Sequence, residues 1–282
     1  MLKIFTTATA LALSTTAAFA AGHATMTGYG LGADGTSLTV FTDMSAPDAA
    51  QTLPLTGGMV DAIAYRPVTG ELLGFSKAGK VFVIDTETGA LSDTGATFAP
   101  EISMGTDAAV ALDFNNAIDA VRAVSSDGVN VVYFPSDFGD DKANSVRRFK
   151  DLAFAEGDVN VGATPMVFAN AYTNAVNGAK QESTFQYALD GGLDALVSLA
   201  NNEGTLTTVA PLTLGGAPVD VAITGGFDIV SAAAGEDTGI ALLSMEGGET
   251  SGLYQIDLAT GALTLMGDTG TAGFTGFAAK LN

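Results

Sequence analysis

The 282-residue chain has no cysteine and no tryptophan, and its one histidine is His23. Without cysteine no disulfide supports the fold, so the core must hold alone. Cys–His nucleophiles and histidine-based zinc or haem sites lack their ligands. The missing tryptophans count against a quinone-linked dehydrogenase. Basic residues are scarce too: 11 Lys and Arg face 31 Asp and Glu, a net charge of −20. Such a surface repels nucleic acid and anionic membranes. No stretch approaches the roughly 20 apolar residues of a membrane-spanning helix. No P-loop or dinucleotide fingerprint occurs.

What is present is a first stretch unlike the rest. Residues 1–20, MLKIFTTATALALSTTAAFA, carry a positive Lys3, an Ala/Leu-rich apolar run and an Ala18-Phe19-Ala20 end. This is the pattern of a secretory signal peptide cut after Ala20. It predicts an exported protein, periplasmic or extracellular, whose residues 21–282 form one domain.

Beyond it, 47% of the residues are hydrophobic and 35 are glycine. Short β-rich runs alternate with Gly turns, which argues for strands over helices. Two segments nearly repeat: VFVIDTETGALSDTG at 81–95 and LYQIDLATGALTLMG at 253–267. In each, an alternating strand ends at an Asp, a Thr-Gly turn follows, and Ala-Leu opens the next strand. The Asp side chains, Asp85 and Asp257, suit turn N–H groups, and the glycines suit a positive φ.

Self-similarity of this kind signals a repeat architecture. Residues 60–96 read as four short antiparallel strands, one propeller blade. The same grammar gives blades at 110–154, 168–209 and 226–266. Three N-terminal strands (26–31, 37–42, 51–55) and one C-terminal strand (274–281) remain. Together they make a fifth blade that closes the ring and leaves no open edge between the termini. The expected fold is therefore all-β, a single β-propeller of five four-stranded blades.

The phrases AYTN (171–174), GLDALVSLANNEGTLTTVAPL (192–212), GFDI (226–229) and SGLYQIDLATGALTLMG (251–267) resemble an exported bacterial family known as a domain of unknown function. The resemblance spans about residues 26–280 and implies a propeller-like fold. It implies no reaction, substrate or catalytic residue.

Several residues are candidates for a site. Aligning the first strand of each blade gives the column Ala64, Asp113, Ala171, Asp228 and Gly276. Asp113 and Asp228 break its small-residue pattern on non-adjacent blades. They read either as a pair holding a cation or polar ligand, or as acceptors for backbone N–H groups. Arg122 is expected to pair with Asp113 or Asp119, or to meet a ligand anion. Tyr172 and Asn174 form a polar strand end able to line a face. Asp137, Asp140 and Asp141, with Asp158 nearby, are the candidate ligands for Ca²⁺, the one cofactor the sequence suggests. The leading functional expectation is a monomeric, non-catalytic scaffold that binds a small molecule or a protein. The alternative is a calcium-dependent hydrolase or lactonase-like enzyme with its site in the channel.

Overall fold

The computed structural model describes residues 26–282, so the signal-peptide reading and His23 lie outside the described residues. The described residues form five small sheets. Blade I joins Phe274–Leu281, Met26–Gly32, Ser37–Phe41 and Gln51–Pro54. Blade II runs Ala62–Arg66, Glu71–Ser76, Lys80–Ile84 and Leu91–Asp93. Blade III has Val110–Asn115, Ala120–Ser125, Asn130–Phe134 and Ser145–Arg148; blade IV has Val167–Tyr172, Gln186–Asp190, Ala195–Ala200 and Thr205–Pro211. Blade V has Val221–Ser231, Asp237–Met245, Ser251–Ile256 and Ala262–Asp268. The inner strands touch in the order I-II-III-IV-V-I. The C-terminal strand pairs with the first described strand from Met26↔Leu281 to Gly32↔Phe274 and closes the ring.

The core is five wedges, one between each pair of neighbouring blades. Side chains alternate across a strand, so each inner strand feeds two wedges. Ala62 and Ala64 face the II–III wedge with Leu112 and Phe114, while Ile63 faces the I–II wedge with Leu31 and Leu72. Each fully buried Phe or Leu contributes about 1.5–3 kcal/mol. The III–IV wedge is built of smaller residues, among them Ala111, Val124, Ala188 and Val197, and its inner part is polar.

The two repeated turns match in detail. The Asp85 Oδ1 accepts from the N–H groups of Glu87 and Thr88, both at 2.9 Å. The Asp257 Oδ1 accepts from Ala259 and Thr260, both at 2.9 Å. Gly89 and Gly261 stand at φ 73° and 68°. A Cβ at either would run into a carbonyl oxygen of the preceding blade, that of Pro54 or Pro211.

That contact belongs to a latch repeated around the ring. The chain leaving one blade donates a backbone N–H to the residue ending the next blade's outer turn. The pairs are Thr56 to Gly89 (2.9 Å), Thr97 to Asn144 (3.0 Å), Ala153 to Gly204 (3.0 Å) and Thr213 to Gly261 (3.2 Å). The sequence grammar had joined Ala153 and Phe154 to the outer strand of blade III. That strand ends at Arg148, and Ala153–Phe154 instead pairs in parallel with Thr205–Leu206 of blade IV. The break follows from Leu152, which donates its N–H to the Gly128 carbonyl and turns the chain toward the next blade.

Candidate functional site

Every inner strand starts at one face of the ring and ends at the other, so the channel has two distinct mouths. At the face where the inner strands end, residues 173–185 cross the ring from blade IV. Asn174 and Ala175 donate backbone N–H groups to Asp237 and Ser231 of blade V, at 2.8 and 2.9 Å. Gly178 donates to the Pro67 carbonyl of blade II at 2.9 Å, and the Asn177 amide to Leu281 of blade I at 3.0 Å. Asn116 of blade III, fully buried, donates its amide to the carbonyls of Asn174, Val176 and Ala179. This mouth is closed by chain from every blade.

At the opposite face lies a basin of about 330 Å³. Its wall comes from Asp34 (blade I), Asp61 and Lys77 (blade II), and Thr106 and Asp107 on the II–III connection, with Ile223 of blade V beneath. The Lys77 ammonium donates to the carbonyls of Thr106 (2.7 Å) and Ala108 (2.9 Å) and lies 3.5 Å from Asp61. Asp61 in turn accepts the Lys77 backbone N–H at 2.7 Å. The Thr36 N–H group holds the Asp34 carboxyl below its ordinary range. Asp107 stands exposed.

Between the mouths the channel narrows to a cavity of about 10 Å³, walled by inner-strand residues that include Phe168, Phe227, Phe277 and Asn170. A space of that size holds about one water. Asn170 is buried there with both side-chain polar atoms unpartnered, which is the chemistry such a water would satisfy.

Asp113 and Asp228 lie one layer further from the basin. Asp113 accepts the Tyr172 N–H at 2.6 Å, joining blade III to blade IV. Asp228 accepts the Ala279 N–H at 2.6 Å, joining blade V to blade I. The two bonds are equivalent, so Ala278, not Gly276, stands in register with them. The sequence column slipped by two because the closing strand is matched by no repeat of its own. Burial pushes both carboxyls up, Asp228 to about 7, and the nearby Asp228 charge pushes Asp113 further.

Arg122 lies across the strand pair from Asp113, but its bonds go elsewhere. It donates to the Tyr172 hydroxyl (2.9 Å), Asn130 (2.5 Å) and Asn202 (2.8 Å). Its guanidinium also sits 5.6 Å from the Phe149 ring centre. The expected pairing with Asp113 or Asp119 is not made. Arg66 takes Asp119 in a two-pronged pair at 2.8 and 2.6 Å, and Asp113 is held by the Tyr172 N–H. Tyr172 is fully buried in the III–IV wedge, donates to Asn201 at 2.8 Å, and is raised to about 12 by burial. Asn174 anchors the cross-loop: its amide donates to Ser183 and its oxygen accepts from Gly235.

The acidic candidates point to separate partners. Asp137 binds Arg66 at 2.7 Å, beside Glu71. Asp140 meets Lys142, and Asp141 meets Arg147. Asp158 accepts from Asn160 and from the Thr208 backbone and hydroxyl, against the outer strand of blade IV. Among the described residues no three His, Cys, Asp or Glu side chains converge as a metal cage. The basin residues were missed by sequence reading. Their one signal was scarcity: Lys77 is one of only 11 basic residues.

Five blades, each built on four antiparallel strands and three of them extended by short extra strands, with a plugged channel and one open mouth, define a five-bladed β-propeller with a single accessible axial face. The chain belongs to the family described as "Domain of unknown function (DUF4394)", which matches residues 38–278. No curated protein sequence matches it. Among solved structures it is similar to Myxococcus xanthus glutaminyl cyclase, at 12% identity over 79% of this chain and 72% of that one, TM-score 0.42. It is also similar to an auxiliary nutrient binding protein from Bacteroides ovatus, at 13% identity over 72% of this chain and 50% of that one, TM-score 0.44. A protein of unknown function from Bacteroides caccae aligns at 8% identity over 90% of this chain and 98% of that one, TM-score 0.41. Likenesses at this level carry no activity across. No helix among the described residues is long and apolar enough to cross a membrane.

Proposed function

We propose that the protein is an exported, non-catalytic binding scaffold that holds a small polar ligand in the basin at the open mouth. Export rests on the charge, apolar run and Ala-x-Ala end of residues 1–20. The binding reading rests on one observation: a 330 Å³ concavity with charged and hydroxyl groups converging from several blades. Concave sites with a few placed polar groups are the usual form of small-molecule sites. A channel hydrolase would need substrate to reach Asp113 and Asp228 past a cavity of about 10 Å³.

The test is a melting-temperature screen of protein purified from the exported fraction, whose first residue should be Ala21. The probes are putrescine, glucose, glutamate and citrate. At least one should raise the melting temperature, as binding to the native state requires. Ala33→Trp, on an exposed turn at the rim, should abolish the rise. No rise with any probe, or an unchanged rise in the variant, rejects the basin as the site.

A further inference from the structure

The basin has a neighbour on the far side of Lys77. Past that side chain a second cavity of about 250 Å³ opens at the edge of the II–III wedge. Its wall is Phe75, Phe98, Ile102 and Met104, with the turn Ala78-Gly79 at its lip. Lys77 lines both cavities, so the two adjoin at that side chain. Phe98, Ile102 and Met104 pack on the II–III core yet stay only partly buried. The Phe75 and Phe98 rings lie 5.6 Å apart at 44° and make an apolar floor.

Charge is distributed unevenly along this space. The Lys77 ammonium has three N–H donors, and two carbonyls and Asp61 face them. The lysine and Asp61 therefore neutralise each other. Asp34, kept ionised by its turn, and the exposed Asp107 remain as net negative charge in the basin limb. The slot limb has no carboxylate in its wall. The whole chain, at −20, adds a field that draws cations toward its surface.

We infer that the ligand is an organic ammonium with an apolar arm, its charged head between Asp34 and Asp107 and its arm in the slot against Phe98, Ile102 and Met104. The inference rests on the basin reading above and adds the chemical class. A simple cation would leave the slot empty. A neutral polyol would leave Asp34 and Asp107 unmatched, and an anion would meet repulsion.

Calorimetric titration at low salt tests this with three probes: methylammonium, 2-phenylethylamine and 3-phenylpropionate. The phenyl arm removes apolar surface from water, so 2-phenylethylamine should bind about tenfold or more tighter than methylammonium. The anionic 3-phenylpropionate should not bind. Ile102→Trp, which fills the slot, should bring 2-phenylethylamine down to the methylammonium level. Met104→Ala, a milder change, should weaken it less and in the same direction. Asp107→Asn should weaken both amines. Equal affinity of the two amines, or no loss in either slot variant, overturns the arm placement and leaves the basin reading standing. Binding of glucose or citrate without either amine overturns the ammonium head. Failure of every probe, including the earlier panel, overturns the basin itself.

Discussion

At one end of the channel, residues 173–185 are tied down on every blade; at the other, a basin is left open between the inner-strand starts. The materials differ. The closed end is tied mostly through backbone groups and amides, with the Asp237 carboxylate as one acceptor: Asn116 gathers three carbonyls, and Asn174 bonds Ser183, Gly235 and Asp237. Most polar groups of the cross-loop are answered by another, while the buried Asn116 side-chain oxygen is left without a partner. The open end uses charged groups, most of them near solvent. Lys77 gathers two carbonyls, and Asp34 and Asp107 are left facing outward. Satisfied neutral groups seal a surface, and solvated charges leave it ready for an exchangeable partner. The proposed binding function therefore falls on the open face.

The largest expected effect breaks the closed end. Replacing residues 175–182 with a Gly-Gly link removes about six hydrogen bonds, each worth about 1 kcal/mol. For a domain of this size that lowers the melting temperature by about 10 °C or more. Ligand binding in the basin should survive below the new melt. A loss of binding with no loss of stability would show that the two faces are misassigned.

A middle-sized effect tests the layer between the faces. Asp228 is raised to about 7 when folded, above its ordinary 3.8. Its neutral form therefore favours the fold, fully so below about pH 4, and that advantage fades as pH rises through about 7. Asp113 and Asp190, also raised, act in the same direction. Carboxyls held low, such as Asp85 and Asp257, lose their contribution only on acidification below about pH 4. Between pH 5 and 8 stability, and with it the melting temperature, should fall, by at most about 3 kcal/mol from Asp228. Asp228→Asn, an amide in place of a neutral acid, should flatten that slope. A slope unchanged in the variant would mean the carboxyl is not protonated in the fold.

The smallest effect concerns the open end. Lys77→Met leaves the Thr106 and Ala108 carbonyls to water and should cost about 1 kcal/mol, or 2–4 °C. It also leaves Asp61 unbalanced, so 2-phenylethylamine should bind the variant tighter. A fall of 10 °C or more, measured by calorimetry, would make Lys77 as structural as Asn116 and erase the contrast between the faces.

Most of the fold was legible because its signals are local. Alternation over five or six residues marked the strands. The Asp-x-x-Thr-Gly turns at 85–89 and 257–261 appear as the sequence pattern requires, down to matching N–H bonds on Asp85 and Asp257. The closing strand was found at Phe274–Leu281, within the bounds the pattern set. The latches were not legible. Two-residue pairings such as Thr97–Phe98 with Ser145–Val146 carry no periodicity. For the same reason Ala153–Phe154 was assigned to the wrong blade. The sequence offers two nearby carboxylates to Arg122, while two of its three hydrogen-bond partners, Tyr172 and Asn202, come from another blade.

The sequence by itself pointed to the blade repeat, the hairpin turns and the joining of the termini, and the structure settled the count at five. The repeat and the turns depend on a pattern of side-chain faces and turn residues within about fifty positions, and the joining follows from the three strands and the one strand left over at the two ends. Only the tertiary structure decided which mouth is open, that Asp113 and Asp228 stitch blades together deep in the channel, and that Lys77, Asp34 and Asp107 share a basin. Those facts depend on where loops from different blades end up over a common axis. Nothing in the local alternation of a strand records the position of that axis.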